Sequence, residues 1–324
     1  MKKLSAVLVW ALFLLFACSK IDVEENPLLF FWEEMDRKYP YFDEKGVDWN
    51  KTRTELLSFN PDDNRSLLSG FSMLIDKLKD GHVYVSDSDT LIRYEYSKDE
   101  RDFFIIDLKN IYGAYNEYET DAIGIYQFPG EITYVVLKTF MIPLSESEKT
   151  LSSYNYENGL IIDLRYNGGG FFGNVLDYSS YFFSGSKILL YQRHKNGRGH
   201  NSFTDFRPLT VNGNGKIKED TDVILLTCAV TYSAANIFTS MMKNLPAVKV
   251  AGTKTGGGGA YRTNHHVLPN GWQFSMSEAP SFDTSYKSLE SGVEPDYYVP
   301  FDEDEFRKTG RHNKLDYALT LLKK

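Results

Sequence analysis

The chain is poor in cysteine and has no excess of positive charge. It contains two cysteines, Cys18 and Cys228, in 324 residues, which is too few for a disulfide framework. Its formal net charge is -8, and this acidic balance argues against a partner with a phosphate backbone. We therefore expect no nucleic acid among its partners.

The sequence also lacks the patterns of a metal site or a nucleotide site. His265 and His266 are adjacent, so on a strand their side chains would face opposite sides and form a poor metal pair. The glycine runs Gly168–Gly170 and Gly256–Gly259 lack the spacing of the dinucleotide-binding and P-loop motifs. We predict an activity that requires no cofactor and no metal.

The chain opens with a predicted targeting segment, residues 1–18. Lys2 and Lys3 precede the apolar run Leu4–Ala17, which is shorter than the ~20 residues of a membrane-spanning helix. The run ends in Leu-Phe-Ala-Cys, which resembles a bacterial lipoprotein processing site and predicts lipidation of Cys18. The polar stretch that follows is typical of a tether. We expect a lipid-anchored protein of the cell envelope, at the outer membrane and facing the periplasm or the exterior; a plain signal peptide is the alternative.

Residues 19–85 are predicted to form a small N-terminal helical domain. Asparagine and proline at positions 26–27 suit the cap and the first position of a helix. A second helix with one apolar face is predicted over 61–80, and Gly81 suits the left-handed position that ends it. Residues 86–130 are predicted to be a short linking β region.

Residues 131–324 alternate between strand and helix patterns, which predicts an α/β core. Ile132–Phe140 and Gly159–Arg165 are both predicted strands. The second is a continuous apolar run, which indicates a sheet that is buried on both faces.

One stretch of this core has the features of a nucleophile. The apolar run Val223–Leu226 predicts a buried strand, and apolar residues after Ser233 recur at helical spacing. Ser233 is therefore expected at a strand-to-helix junction. There the N–H of Ala234 would lack an intrahelical partner and could form half of an oxyanion hole. A helix N-cap is the alternative role for Ser233, and this stretch alone leaves both open.

Four segments, in this order, resemble one family. They are Leu78–His82, Ile162–Gly170, Thr231–Ala235 and Glu290–Asp296. The family is the C-terminal-processing and tricorn-type serine peptidases, and the resemblance covers nearly all of the chain after the targeting segment. It implies a crotonase/ClpP-like β/α spiral core that hydrolyses bonds in a peptide or protein substrate.

The resemblance favours one branch of that family. The tail-specific branch pairs its serine with a lysine, but Gly258 stands at the lysine position here. The tricorn-like branch uses an upstream histidine, which His82 matches, although a lone histidine is weak evidence by itself. Many members carry a PDZ domain between the histidine and the first core strand, and residues 86–130 are too few for a complete one.

The resemblance also implies roles for individual residues. Ser233 would attack the peptide carbonyl, and His82 would take the serine proton and then give it to the leaving amine. The N–H groups of Ala234 and Gly169 would hold the oxyanion.

A third role is implied for an acid. Glu290 resembles the acidic member of the tricorn-type site, and Glu294 is a nearby rival. Asp163 and Arg165 are expected to brace the glycine loop rather than to react.

The function predicted from these residues is that of a lipid-anchored serine endopeptidase. The alternative is a catalytically inactive peptide-binding lipoprotein on the same fold, since fold alone does not determine function. Two features are compatible with this alternative. The family often has glutamate where Asn236 stands, and the middle region is short. An enzyme that uses Cys228 as nucleophile is less favoured, because that cysteine ends an apolar strand and is expected to be buried.

Overall fold

The computed structural model describes residues 25–94, 106–143, 156 and 158–323. The predicted targeting segment and Cys18 lie outside these residues. Within them, no helix combines the length and the apolar composition that crossing a membrane requires.

Three helices open the described part of the chain: α1 (Pro27–Lys38), α2 (Trp49–Leu56) and α3 (Asn64–Leu78). The side chain of Asn26 caps α1, as the sequence predicts. Helix α3 ends at Lys79, which adopts the left-handed conformation (φ 47°) that the sequence predicts for Gly81. Asp80 and His82 therefore lie in the short segment that leads from this helix into the first strand.

The remaining elements alternate along the chain. The described strands are β1 (Tyr84–Ser86), β2 (Leu91–Arg93), β3 (Tyr115–Glu119), β4 (Ile123–Phe128), β5 (Ile132–Leu137), β6 (Leu160–Asp163), β7 (Ser184–Gln192), β8 (Arg207–Asn214), β9 (Val223–Thr227), β10 (Val248–Gly252), β11 (Ala260–Val267), β12 (Gln273–Phe282) and β13 (Tyr297–Tyr298). The later helices are α4 (Leu108–Tyr112), α5 (Phe172–Ser180), α6 (Ala234–Lys243), α7 (Glu303–Thr309) and α8 (Asn313–Leu322).

The larger sheet has seven strands in the order β13-β10-β9-β6-β5-β4-β3. Its strands from β5 to β13 run parallel, and helices cover both faces. Ile162 and Leu225 pack with α5 and α6, whereas Ile161 and Ile224 face α8. Successive side chains of a strand point to opposite faces, so a continuous apolar run is buried on both. This arrangement confirms the predicted α/β fold.

The predicted boundary at residue 130 falls inside this sheet. Strands β3 and β4, in the predicted linking region, pair antiparallel with each other, and β4 pairs with β5. The hydrogen bonds that join β4 to β5 make the linking strands part of the same sheet as the core.

The second sheet connects the N-terminal helices to the core. Its order is β2-β1-β12-β7-β8, and β11 pairs with β12. Phe31 of α1 packs edge-on against Phe71 of α3 and Phe274 of β12, with ring centroids 5.6 and 5.1 Å apart. Strand β1 is antiparallel to β12, with Tyr84 opposite Ser275. This pairing holds His82, two residues before Tyr84, beside the core.

Candidate active site

Ser233 occupies the strained turn between β9 and α6. Its backbone has φ 56° and ψ -122°, a conformation that a non-glycine residue rarely adopts and that clusters at functional sites. Ser233 stands at the N-cap position, but its side chain makes no capping hydrogen bond. Its Oγ lies 2.8 Å from Nε2 of His82 instead. The N-cap alternative therefore accounts for the position of this serine but not for the direction of its side chain.

Backbone and side-chain hydrogen bonds hold this turn in place. The N–H of Ser233 donates to the carbonyl of Gly257 at 2.9 Å. The hydroxyl of Thr231 is buried and donates to the carbonyl of Leu164 at 2.8 Å. The turn is thus tied both to the segment after β10 and to the end of β6, which stabilises its strained backbone.

His82 reaches Ser233 from the segment between α3 and β1. Its own N–H donates to Oδ1 of Asp80 at 2.8 Å, which fixes the backbone at this point. Its second ring nitrogen, Nδ1, lies 3.5 Å from both the hydroxyl of Tyr232 and the Oγ of Ser277. Burial lowers the pKa of His82, and the charge of Asp80 opposes that shift. A lowered pKa favours the neutral imidazole, which can accept the proton of the serine.

Two N–H groups near Ser233 have no hydrogen-bond partner among the described residues. The first belongs to Ala234, at the N-terminus of α6. The second belongs to Gly170, which donates no backbone hydrogen bond among the described residues. The Gly169 carbonyl accepts from the N–H of Phe140 at 2.8 Å, so the planar trans peptide turns the N–H of Gly170 away from Phe140. Such unpaired donors are what an oxyanion requires.

Gly169, the oxyanion donor that the resemblance implies, lies beside Ser233, but its N–H has another partner. Its N–H donates to Oδ1 of Asn167 at 2.9 Å, so this donor is already engaged. Its Cα lies against the nucleophile turn: a β-carbon there would come within 2.8 Å of the Cβ of Ser233 and 2.9 Å of the nitrogen of Ala234. Glycine at this position permits the close approach of the loop.

Asp80 is an acidic residue of the site whose contacts the sequence did not reveal. It is fully buried, and its Oδ1 lies 3.8 Å from Nδ1 of His82. Its Oδ2 accepts from the hydroxyls of Tyr39 at 2.9 Å and Ser277 at 3.2 Å. The sequence indicates a link between Asp80 and His82 only through their spacing, Asp-x-His. The same spacing is compatible with an aspartate that merely ends a helix.

Glu290, the predicted acidic member, has other partners. Its Oε1 pairs with Nζ of Lys45 at 2.8 Å, and its Oε2 accepts from the N–H of Gly259 at 2.9 Å. Burial and the charge of Asp80 raise the pKa of Glu290 to about 8, against the opposing effect of Lys45. The rival Glu294 is exposed and pairs with Lys254 at 3.0 Å. The structure brings Glu290, but not Glu294, near the acid beside His82.

Gly258 stands where the tail-specific branch has the lysine that pairs with its serine, and the space around Gly258 has no room for a side chain. It has φ 75°, and a β-carbon there would come within 2.5 Å of the ring of Tyr232. That ring lies 5.0 Å from the His82 ring. The tyrosine thus fills the space beside Gly258 and forms one wall around the histidine.

Asp163, Arg165 and Cys228 lie beneath the site. The guanidinium of Arg165 pairs with Asp163 at 2.6 Å, and both side chains are fully buried. The thiol of Cys228 is also buried and donates to the carbonyl of Arg165 at 3.3 Å. In the part of the chain that the structure describes, no group of three or more His, Cys, Asp or Glu side chains could hold a metal ion.

Comparisons with known proteins agree with this architecture. The family model of peptidase family S41 matches residues 131–299, which is just over half of the chain. The tricorn protease of Thermoplasma acidophilum is 24% identical over 196 residues, which are 60% of this chain and 17% of that protein. The match therefore spans a small part of that protein.

Two solved structures share the fold. A Parabacteroides merdae protein assigned as a peptidase superimposes with a TM-score of 0.81 at 29% identity, over 92% of this chain and 95% of that one. Mature CPAF complexed with lactacystin gives a TM-score of 0.64 at 12% identity, over 91% of this chain and 96% of that one. At that identity the second likeness concerns the fold alone.

The chain therefore belongs to peptidase family S41. The resemblance to C-terminal-processing and tricorn-type peptidases that the sequence indicates is confirmed. Members of this family are serine-type peptidases, so the predicted enzyme class, a hydrolase of peptide bonds, is confirmed at the level of the family.

Proposed function

We propose that this protein is a lipid-anchored serine endopeptidase in which Ser233 is the nucleophile and His82 the general base. The observation that carries the proposal is the 2.8 Å contact between Oγ of Ser233 and Nε2 of His82. A serine becomes nucleophilic when an adjacent base can remove its proton, and this separation is within hydrogen-bond reach.

The reaction follows from these two groups. The Oγ of Ser233 bonds to the carbonyl carbon of the substrate while its proton moves to Nε2 of His82. The C–N bond then breaks, and the amine leaves with that proton, so an acyl-enzyme remains. Water attacks the ester with His82 again as base, and the proton returns to Ser233 as the acid product leaves.

The oxyanion of each tetrahedral intermediate would be held by the unpaired N–H groups of Ala234 and Gly170. Gly169, the donor that the sequence predicts, would serve this role only after releasing Asn167. The N–H of Phe171 donates to the carbonyl of Phe140 at 3.1 Å, which holds the end of the glycine loop against the segment that contains Met141. The side chains of Met141 and Phe171 are both exposed there. They offer apolar surface to the side chains of a bound peptide.

The first test is cleavage of a diverse peptide mixture by the purified protein, with products identified by mass spectrometry. The variants Ser233→Ala and His82→Ala run beside the wild type. We expect internal cleavage by the wild type that both variants lose. Cleavage that survives Ser233→Ala would refute the nucleophile. Binding of peptides without any turnover would favour the alternative, an inactive peptide-binding protein.

The lipid anchor is proposed from the sequence around Cys18, and it needs a separate test. We expect the full chain, expressed in a Gram-negative bacterium, to fractionate with the membranes and to incorporate labelled palmitate. Cys18→Ala should abolish both, whereas Cys228→Ala serves as the matched cysteine control. Secretion of an unlabelled wild-type protein would instead indicate a plain signal peptide.

A further inference from the structure

Two carboxylates are buried near Ser233 and His82, and they are held in different ways. Asp80 and Glu290 are 0% and 6% exposed. The charge of Asp80 raises the pKa of Glu290, as expected for neighbouring acids. Their hydrogen-bond partners distinguish them, because only Asp80 is joined to His82.

The Asp80 carboxylate is fixed in one orientation. Oδ1 accepts the backbone N–H of His82, and Oδ2 accepts the hydroxyls of Tyr39 and Ser277. Three donors from three different segments leave the carboxylate little freedom to rotate. This arrangement holds Oδ1 at 3.8 Å from Nδ1 of His82.

Ser277 provides a second link between this carboxylate and the ring. Its Oγ lies 3.2 Å from Oδ2 of Asp80 and 3.5 Å from Nδ1 of His82. When His82 takes the proton of Ser233, its ring becomes an imidazolium and Nδ1–H needs an acceptor. Both the carboxylate and the serine hydroxyl are placed to provide one, and catalytic contacts of a resting site shorten when substrate binds.

Each carboxylate oxygen of Glu290 already has a partner other than His82. Lys45 binds one oxygen, and the N–H of Gly259 binds the other. Lys45 also donates to the carbonyl of Lys79 at 3.1 Å. The contact between Lys45 and Glu290 therefore joins the N-terminal helices to the glycine run Gly256–Gly259.

We propose that Asp80 is the carboxylate that positions His82 and stabilises its protonated ring, directly and through Ser277. The Lys45–Glu290 pair then braces the N-terminal helices against the Gly256–Gly259 run. This inference rests on the proposed function, in which His82 is the base.

The test compares four purified variants with the wild type on one cleaved peptide. Asp80→Asn keeps the shape, because its amide can still accept from His82 and donate to the two hydroxyls. Glu290→Gln makes the same chemical change in the other acid. Ser277→Ala removes the link, and Ser281→Ala is its matched control: it removes a buried hydroxyl of the same strand that has no hydrogen-bond partner among the described residues. Thermal denaturation shows whether each variant is folded.

We expect Asp80→Asn to lower kcat by about 10²-fold or more, since an orienting aspartate next to a catalytic histidine has effects of that size or larger. The acid limb of kcat/KM should also move to lower pH. The polar groups that face His82 are Ser233, Ser277 and Tyr232, and the charged groups are Asp80 and, at longer range, Lys45. Asp80 is the one that raises the pKa of His82. Glu290→Gln should cost less, and Ser277→Ala should cost more than Ser281→Ala.

A loss in Glu290→Gln equal to or larger than that in Asp80→Asn would overturn the proposal. If Asp80→Asn does not fold, equal activities of Ser277→Ala and Ser281→Ala would overturn it too. The pKa of His82, titrated by NMR, gives a readout that does not need turnover: it should fall in Asp80→Asn and fall less in Glu290→Gln. An inactive wild type with that NMR result would refute the proposed function, and with it the catalytic role of Asp80, while showing that Asp80 still sets the pKa of the His82 ring.

Discussion

The proposed active site has two sides that come from different regions of the chain. The nucleophile side consists of the Ser233 turn, the glycine loop and the Gly256–Gly259 run, all within residues 131–299 that match the family model. The base side consists of His82 and Asp80, held by Tyr39 from the N-terminal helices and by Ser277.

The two sides depend on different physical causes. The nucleophile side is built mainly by backbone: glycines at positive φ and a strained serine between a strand and a helix. Such features depend on local sequence and are visible as short patterns. The base side is built by side chains that meet only after the helices pack on β12. Its chemistry therefore depends on tertiary contacts between segments far apart in the chain.

The nucleophile side should be most sensitive to an added side chain. Gly258→Ala introduces a β-carbon 2.5 Å from the Tyr232 ring at φ 75°. We expect a loss of about 1–3 kcal/mol of stability from overpacking and backbone strain, together with a lower kcat as the ring moves towards His82.

Gly271→Ala is the control for this prediction, because Gly271 has φ 86° and open space around it. It should show the cost of backbone strain alone. Thermal denaturation and peptide cleavage of both variants measure the difference. Equal losses of stability and activity would mean that contact with Tyr232 is unimportant.

The buried acid Glu290, which contacts Gly259 of the nucleophile side, should give the protein a characteristic pH dependence of stability. Glu290 has a folded pKa of about 8 against an ordinary value of 4.5. Between these values the unfolded chain loses a proton that the native state keeps, so stability falls as pH rises through that window and levels off above it.

Glu290→Gln should remove this decline. We expect its melting temperature to fall less than that of the wild type between pH 5 and 8, with the exposed Glu294→Gln variant following the wild type. Parallel curves for Glu290→Gln and the wild type would show that Glu290 titrates normally in the folded protein.

The smallest effect on stability and activity is expected from substitution of Cys228. Cys228 is buried, and its thiol donates to the carbonyl of Arg165 and accepts from the N–H of Val230. Cys228→Ala should cost about 1 kcal/mol of stability and leave peptide cleavage unchanged. Inactivation of the native enzyme by thiol reagents, absent in this variant, would reopen the cysteine mechanism.

Much of the nucleophile side could be predicted from the sequence. The strand, the junction and the helix around Ser233 follow from an apolar run and helical spacing, and both are local. The engagement of the Gly169 N–H could not be predicted, because it depends on the direction of the Asn167 side chain.

The base side could be predicted only in part. His82 is predicted from its match to a family pattern. The sequence indicates only a helix end at Asp80, because the contacts of Asp80 with Tyr39 and Ser277 span 41 and 197 positions of sequence. Lys45 gave no indication of its role, because its pairing with Glu290 exists only once the helices pack against the core.

The most direct test of the account is a double-mutant cycle between the two sides. It uses kcat/KM of wild type, Ser233→Ala, His82→Ala and the double variant on one cleaved peptide. If the two residues act as one unit, each single variant loses about 10⁴-fold or more and the double variant loses no more than the worse single. Losses that multiply in the double variant, or activity retained by either single variant, would contradict the claim that the base side activates Ser233.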